Sequence, residues 1–120
     1  MYVDVHCHLD HPRYQQDIED VISRAKTAGV SAIVTSGVNP TSNRAALLLA
    51  KKYPLVRVSL GLYPIDAVAV HVPLTRLAEE MYRHVEPFDV TTELAFIAQH
   101  KEDIVAVGEI GIDNHLLKGY

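Results

Sequence analysis

The segment Asp4-Val5-His6-Cys7-His8 sets a carboxylate and two imidazoles at alternate positions of a stretch rich in β-formers. Alternate strand side chains share a face, so Asp4, His6 and His8 are expected on one side and Val3, Val5 and Cys7 on the other. Neutral imidazole is a preferred ligand for divalent transition metals, and Asp4 is placed to accept a ring N–H and fix the tautomer. A second carboxylate, Glu109, follows the last apolar run, within Val107-Gly-Glu-Ile-Gly-Ile-Asp113. Parallel strands collect functional side chains at their carboxyl ends, which puts Glu109 on the rim that carries His6 and His8, where a carboxylate can bridge two cations. Each motif taken singly has a plainer reading: solvated histidines at a strand end, and a glutamate before a turn. Cys7 is the one cysteine of the chain. It cannot form an internal disulfide, points away from the imidazoles by the same alternation, and reads as a buried thiol.

These residues need a sheet to hold them, and the chain repeats a strand, loop and helix cycle. Strands are expected at Tyr2 to His6, Val30 to Ser36, Val56 to Gly61 and Ile104 to Ile110. Between them, Gln15 to Ala28 carries Ile18, Val21, Ile22 and Ala25 at helical spacing, with Gly29 as a stop. Asn39-Pro40 supplies an N-cap and first residue for a helix through Lys52, with Ala46, Leu47 and Ala50 inward. The last connection is long, with helical patterns at Leu74 to His84 and Thr91 to His100 separated by Glu86-Pro87. Strands alternating with helices imply parallel βαβ units, in an open doubly wound sheet or in part of a barrel. A length of 120 residues is the size of one domain. A formal charge of −4 argues against broad binding to phosphate backbones, so any nucleic-acid chemistry would be local. No apolar run suits a membrane span and Met1-Tyr2-Val3-Asp4 does not open a signal peptide, so a cytoplasmic protein is expected.

Taken together, Asp4-x-His6-x-His8-Leu9-Asp10, Gly61-Leu-Tyr-Pro64 and Gly108-Glu-Ile-Gly-Ile-Asp113 resemble the successive signatures of the TatD-related deoxyribonucleases. The resemblance implies a TIM-like (βα) barrel, here about its first four βα units. It also implies a divalent metal site on the carboxyl rim and hydrolysis of DNA phosphodiester bonds. By that resemblance His6 and His8 hold one metal and Glu109 is shared between two. Zn²⁺, Mg²⁺ and Mn²⁺ all suit mixed imidazole and carboxylate ligands.

Two departures stand out. The family usually has histidine within its substrate pocket where this chain has Tyr63, which can hydrogen-bond a phosphate but is no cation near neutral pH. Family members also run to a full barrel of roughly 250 residues, and the two further histidines and late aspartate that complete their metal coordination have no counterpart here. His115 lies too soon after Glu109 to be one of them and reads, with His11, His71, His84 and His100, as a surface or helix residue. Residues 1–120 thus read as the N-terminal half of such a barrel, expected to leave two bare sheet edges and an inward face of Val and Ile. Self-association would cover them if this is the whole chain. Related metallohydrolases fit less well. The polymerase and histidinol phosphatase-like enzymes continue past His-x-His with Thr and Ser-Asp-Gly rather than Leu9-Asp10-His11-Pro12, and amidohydrolases with a carboxylated lysine place it where this chain has Glu109. A non-enzymatic half-barrel that binds metal and self-associates is the reading from a different class.

Overall fold

The elements start and stop where side chains take up free backbone groups. In the computed structural model, which describes residues 1–69, 71 and 86–113, the strands are β1 (Tyr2–Cys7), β2 (Val30–Ser36), β3 (Val56–Leu60) and β4 (Ala106–Val107). The helices are α1 (Ile18–Thr27), α2 (Pro40–Lys52), α3 (Pro64–Val68) and α4 (Val90–Gln99), with one 3-10 turn at Pro12–Tyr14. Asn39 Oδ1 accepts the Ser42 N–H at 3.0 Å to cap α2, and Pro40 brings no N–H that needs a partner. Asp89 does the same for α4, accepting from Thr91 N at 2.9 Å and Thr92 Oγ1 at 2.7 Å. Gly29, at φ +84°, ends the first helical segment in the left-handed conformation that favours glycine.

All strand pairs are parallel and the order β1-β2-β3-β4 runs without reversal. A doubly wound sheet reverses at its switch point and takes helices on both faces. An unreversed order with crossovers of one hand puts the helices on one face, which is the arrangement of a barrel segment. The core agrees. One apolar cluster joins Ile33 and Val56 of the sheet to Ile22 of α1, with Leu9, Tyr53 and Leu55. A second joins Val58 and Leu60 to Ala46 and Leu47 of α2 and Ile97 of α4. Fully burying a side chain such as Leu60 contributes roughly 1.5–3 kcal/mol, so these clusters fix the sheet on its helices.

Several expectations need correction. By register the face opposite the helices carries Val3 beside Ala32, and Val34 and Ser36 beside Arg57 and Ser59, so the valines expected there are interspersed with small and polar side chains. The alternation assumed for β1 also fails. Asp4 pairs with Ile33 but Cys7 with Thr35, so three steps along β1 match two along β2. Such a bulge brings Asp4 and Cys7 to the same face by register. Val3 and Val5, expected to meet helices, are 55% and 73% exposed, because the same register pairs Val3 with Ala32 and Asp4 with Ile33 and so turns the valines to the face opposite the helices. β4 is shorter than Ile104 to Ile110, although Val105 N and Gly108 N still donate to Val58 O and Leu60 O of β3, at 3.0 and 2.9 Å. The first helix starts late because Pro12–Tyr14 is wound as a 3-10 turn. Short α3 had no periodic signal to announce it. The helix expected at Leu74 to His84 lies outside the described residues, as does His115. No helix among those described is long and apolar enough to cross a membrane.

Candidate metal centre

The bulge in β1 delivers its two histidines to the carboxyl end of β2, where Ser36 meets both. His8 Nδ1 donates to the Ser36 carbonyl at 2.9 Å, and His6 Nδ1 lies 3.3 Å from Ser36 Oγ. A carbonyl only accepts, so His8 carries its hydrogen on Nδ1 and turns the Nε2 lone pair outward. The two rings stand nearly perpendicular, 88° between planes and 5.1 Å between centroids.

Glu109 comes from beyond β4 and is clamped at both backbone groups. Its N–H donates to Gly37 O at 3.3 Å and its carbonyl accepts from Leu62 N at 2.7 Å. Gly61 makes this approach possible, since a Cβ there would run into the Gly108–Glu109 peptide. So held, Glu109 Oε1 sits 3.3 Å from His6 Nε2 and 3.1 Å from His8 Nε2.

His8 Nε2 and Glu109 Oε1 are both acceptors turned toward each other, which is unfavourable unless a positive species lies between them. The spacing suits a cation. Bonds of about 2.0–2.1 Å in a tetrahedral arrangement separate donor atoms by about 3.3 Å. Among the described residues, His6, His8 and Glu109 form a group that could hold a metal ion, with ligand atoms all within 4.8 Å of one another. Side-chain exposures of 54, 39 and 25% leave the remaining coordination positions open.

The other residues singled out by sequence take varied places. Asp4 Oδ1 accepts the His6 backbone N–H at 3.1 Å, and the ring nitrogens find Ser36 instead, because the bulge changes the face to which Asp4 belongs. Tyr63 caps α3 and lines a cleft of about 950 Å³ beside the ligands, together with His8, His11, Asn39, Phe88 and Glu109. His11 Nδ1 accepts from Arg13 N at 3.1 Å, His71 is exposed, and His100 Nδ1 bonds Phe96 O at 2.9 Å as α4 ends. Cys7 packs on the first apolar cluster with its thiol toward Val34 O at 3.6 Å. Burial, and then the nearby Asp4 charge, push the thiol pKa up to about 11. Ser36 was not foreseen. A serine ending an apolar strand gives no sign of its partners until the neighbouring strand is known.

The family model of TatD-related DNases matches residues 3–119. The chain belongs to that family. Human deoxyribonuclease TATDN3 is 31% identical over 112 residues, a match covering 92% of this chain and 38% of the relative. A Bacillus subtilis relative, the uncharacterized metal-dependent hydrolase YabD, is 31% identical over 118 residues, covering 96% of this chain and 38% of YabD. The crystal structure of the TatD homologue YjjV from Escherichia coli superposes with a TM-score of 0.67 at 28% identity, covering 93% of this chain and 38% of YjjV. A TatD-family hydrolase from Entamoeba histolytica shares the fold with a TM-score of 0.68 at 21% identity, over 98% of this chain and 39% of that one. The chain thus spans less than half the length of these relatives. The family assignment and the neighbours agree with the half-barrel geometry.

Proposed function

We propose that this chain is the N-terminal half of a TatD-type deoxyribonuclease barrel, in which His6, His8 and Glu109 hold divalent metal for hydrolysis of DNA phosphodiester bonds. The convergence of two imidazole Nε2 atoms on one carboxylate oxygen, at 3.1 and 3.3 Å, carries the reading. Zn²⁺, Mg²⁺ and Mn²⁺ suit the donors, and His6, His8 and Glu109 would hold their share of a site that would take two ions when complete. Such ions supply charge neutralisation at a phosphate and activation of water.

The residues of this chain bind and orient. The Ser36 carbonyl fixes which nitrogen His8 presents, its hydroxyl contacts His6 Nδ1, and Asp4 steadies His6 through its backbone. Tyr63, at the cleft wall, offers a hydroxyl to a phosphate oxygen and a ring face to a base. The cleft leads substrate to Glu109 without a broad basic surface, as the net charge requires. Binding of Mn²⁺ or Zn²⁺ by the purified chain, measured by titration calorimetry, tests the central claim. Equal metal uptake by wild type and a His6→Ala, His8→Ala double variant would overturn it.

A second reading is supported by the sheet edges. β1 and β4 each have a strand on one side only among the described residues, and Val3 and Val5 stand exposed. A half-barrel in this state binds metal, self-associates and has weak or absent nuclease activity.

A further inference from the structure

Behind the metal ligands lies a buried polar cluster that touches none of them. Asn43 of α2 is fully buried, and its carboxamide is satisfied on both sides. Nδ2 donates to Gly61 O at 2.9 Å and to Glu93 Oε1 at 2.8 Å, while Oδ1 accepts the Gly61 N–H at 3.1 Å. Glu93, on α4, is 1% exposed and takes Arg44 Nη1 on its other oxygen at 2.7 Å. Arg44 is held in turn by Pro40 O at 2.8 Å and by the Phe96 ring, 4.0 Å from its centroid. Taking a carboxylate out of water costs several kcal/mol unless partners satisfy it, so a fully engaged Glu93 makes a rigid anchor.

Asn43 also fixes the two backbone segments that clamp Glu109. It holds Gly61 from both sides, and the next residue, Leu62, donates its N–H to Glu109 O. It packs so closely on Gly37 that a Cβ there would collide with Asn43 Oδ1, and the Gly37 carbonyl accepts the Glu109 N–H. One backbone contact of Glu109 is thus made by Gly37, against which Asn43 packs, and the other by Leu62, next in the chain to the Gly61 that Asn43 holds.

Resting on the metal-site reading above, we propose that Asn43 is a positioning residue for Glu109, held in register by Glu93 and Arg44. It sets the place of the carboxylate relative to His6 and His8 without touching a metal. Loss of a partner bonded directly to a ligand typically weakens metal affinity about 10–100-fold, and Asn43, which acts through Gly37 and Gly61, is expected at the lower end of that range.

Co²⁺ titration of the purified chain, followed by visible absorption, tests this together with melting curves of the metal-free protein. Asn43→Ala is expected to weaken Co²⁺ binding about 10-fold or more and to alter the absorption bands. Glu93→Gln keeps an oxygen for Asn43 while losing the Arg44 ion pair, so it should lower the melting temperature with a much smaller change in affinity. Where Asn43→Ala does not fold, Asn43→Ser carries the test: its short neutral hydroxyl cannot reach Gly61 N–H, Gly61 O and Glu93 together, and it should weaken Co²⁺ binding several-fold. A folded Asn43 variant with unchanged affinity and spectrum would overturn the proposal. So would a loss of affinity in Glu93→Gln as large as in Asn43→Ala, which would make the cluster a stabilising element only. Failure of the wild-type chain to bind Co²⁺ would remove the metal-site reading itself, and this proposal with it.

Discussion

The Ser36 carbonyl lies 2.9 Å from His8 Nδ1, and this leaves Nε2 as the nitrogen that faces Glu109, 3.1 Å away. The hydrogen-bond partner on one side of the ring thereby decides the chemistry on the other.

Replacing Glu109 with Gln keeps its shape but removes the charge and puts an amide where an anion stood. Mn²⁺ affinity is expected to fall by at least about 10-fold. The metal-free protein should melt at the same temperature or slightly higher, because the amide can donate to an imidazole that now faces an acceptor. Calorimetric titration and a melting curve check both halves. A variant that unfolds, or that binds Mn²⁺ as wild type does, contradicts the assignment.

Ser36→Ala separates the two histidines. The carbonyl that fixes His8 stays, while the Oγ contact to His6 at 3.3 Å is lost. Metal affinity should drop less than in His6→Ala, and the His8 ring should keep its tautomer, visible in nitrogen chemical shifts. A shift of the His8 tautomer in this variant would show that the hydroxyl, not the carbonyl, orients that ring.

The Cys7 thiol, with its pKa pushed to about 11 by burial, predicts slow reaction with thiol reagents at neutral pH relative to the unfolded chain. The folded-state pKa lies above the ordinary value of 9.0, so the unfolded chain releases its proton first as pH rises. Stability from this group is fully present below about pH 9 and is lost as pH rises toward about 11. Cys7→Ser should abolish that part of the pH dependence while lowering stability at pH 7, since a hydroxyl replaces the thiol against the apolar cluster of Leu9, Ile22 and Ile33. Urea titrations at pH 7, 9 and about 10.5 read out the difference.

Much of this was legible in the chain, for reasons that differ by residue. His6, His8 and Glu109 could be placed on one rim because parallel strands bring their carboxyl ends together whatever the details of packing. α2 could be bounded closely because Asn39 and Pro40 act on the backbone next to them. Asp4 was read onto the wrong face because a bulge depends on the β2 register, which local spacing does not encode. Ser36, Asn43 and Glu93 escaped for a related reason: their partners are 18 to 50 residues away in sequence. Short α3 escaped because five residues carry too little periodicity to show.

The last prediction concerns the bare edges. β1 and β4 present unpaired backbone groups along one side among the described residues, and Val3, Val5 and Val107 are more than half exposed. Such edges invite pairing with another chain. The inward face weakens the apolar drive that closure would need, because Ser36, Arg57 and Ser59 stand on it between Val3 and Val34 and the open edge. Backbone pairing at β1 is therefore the expected mode of contact. Sedimentation velocity of the isolated 120-residue chain should show concentration-dependent association, and Val5→Lys should shift it toward monomer by placing a charge on the edge. The associated form should bind metal yet cleave single-stranded DNA far more slowly than a full-length relative. A stable monomer at every concentration would defeat the edge argument, and chelator-sensitive cleavage at the rate of a full-length relative would show that the half-barrel is catalytically sufficient.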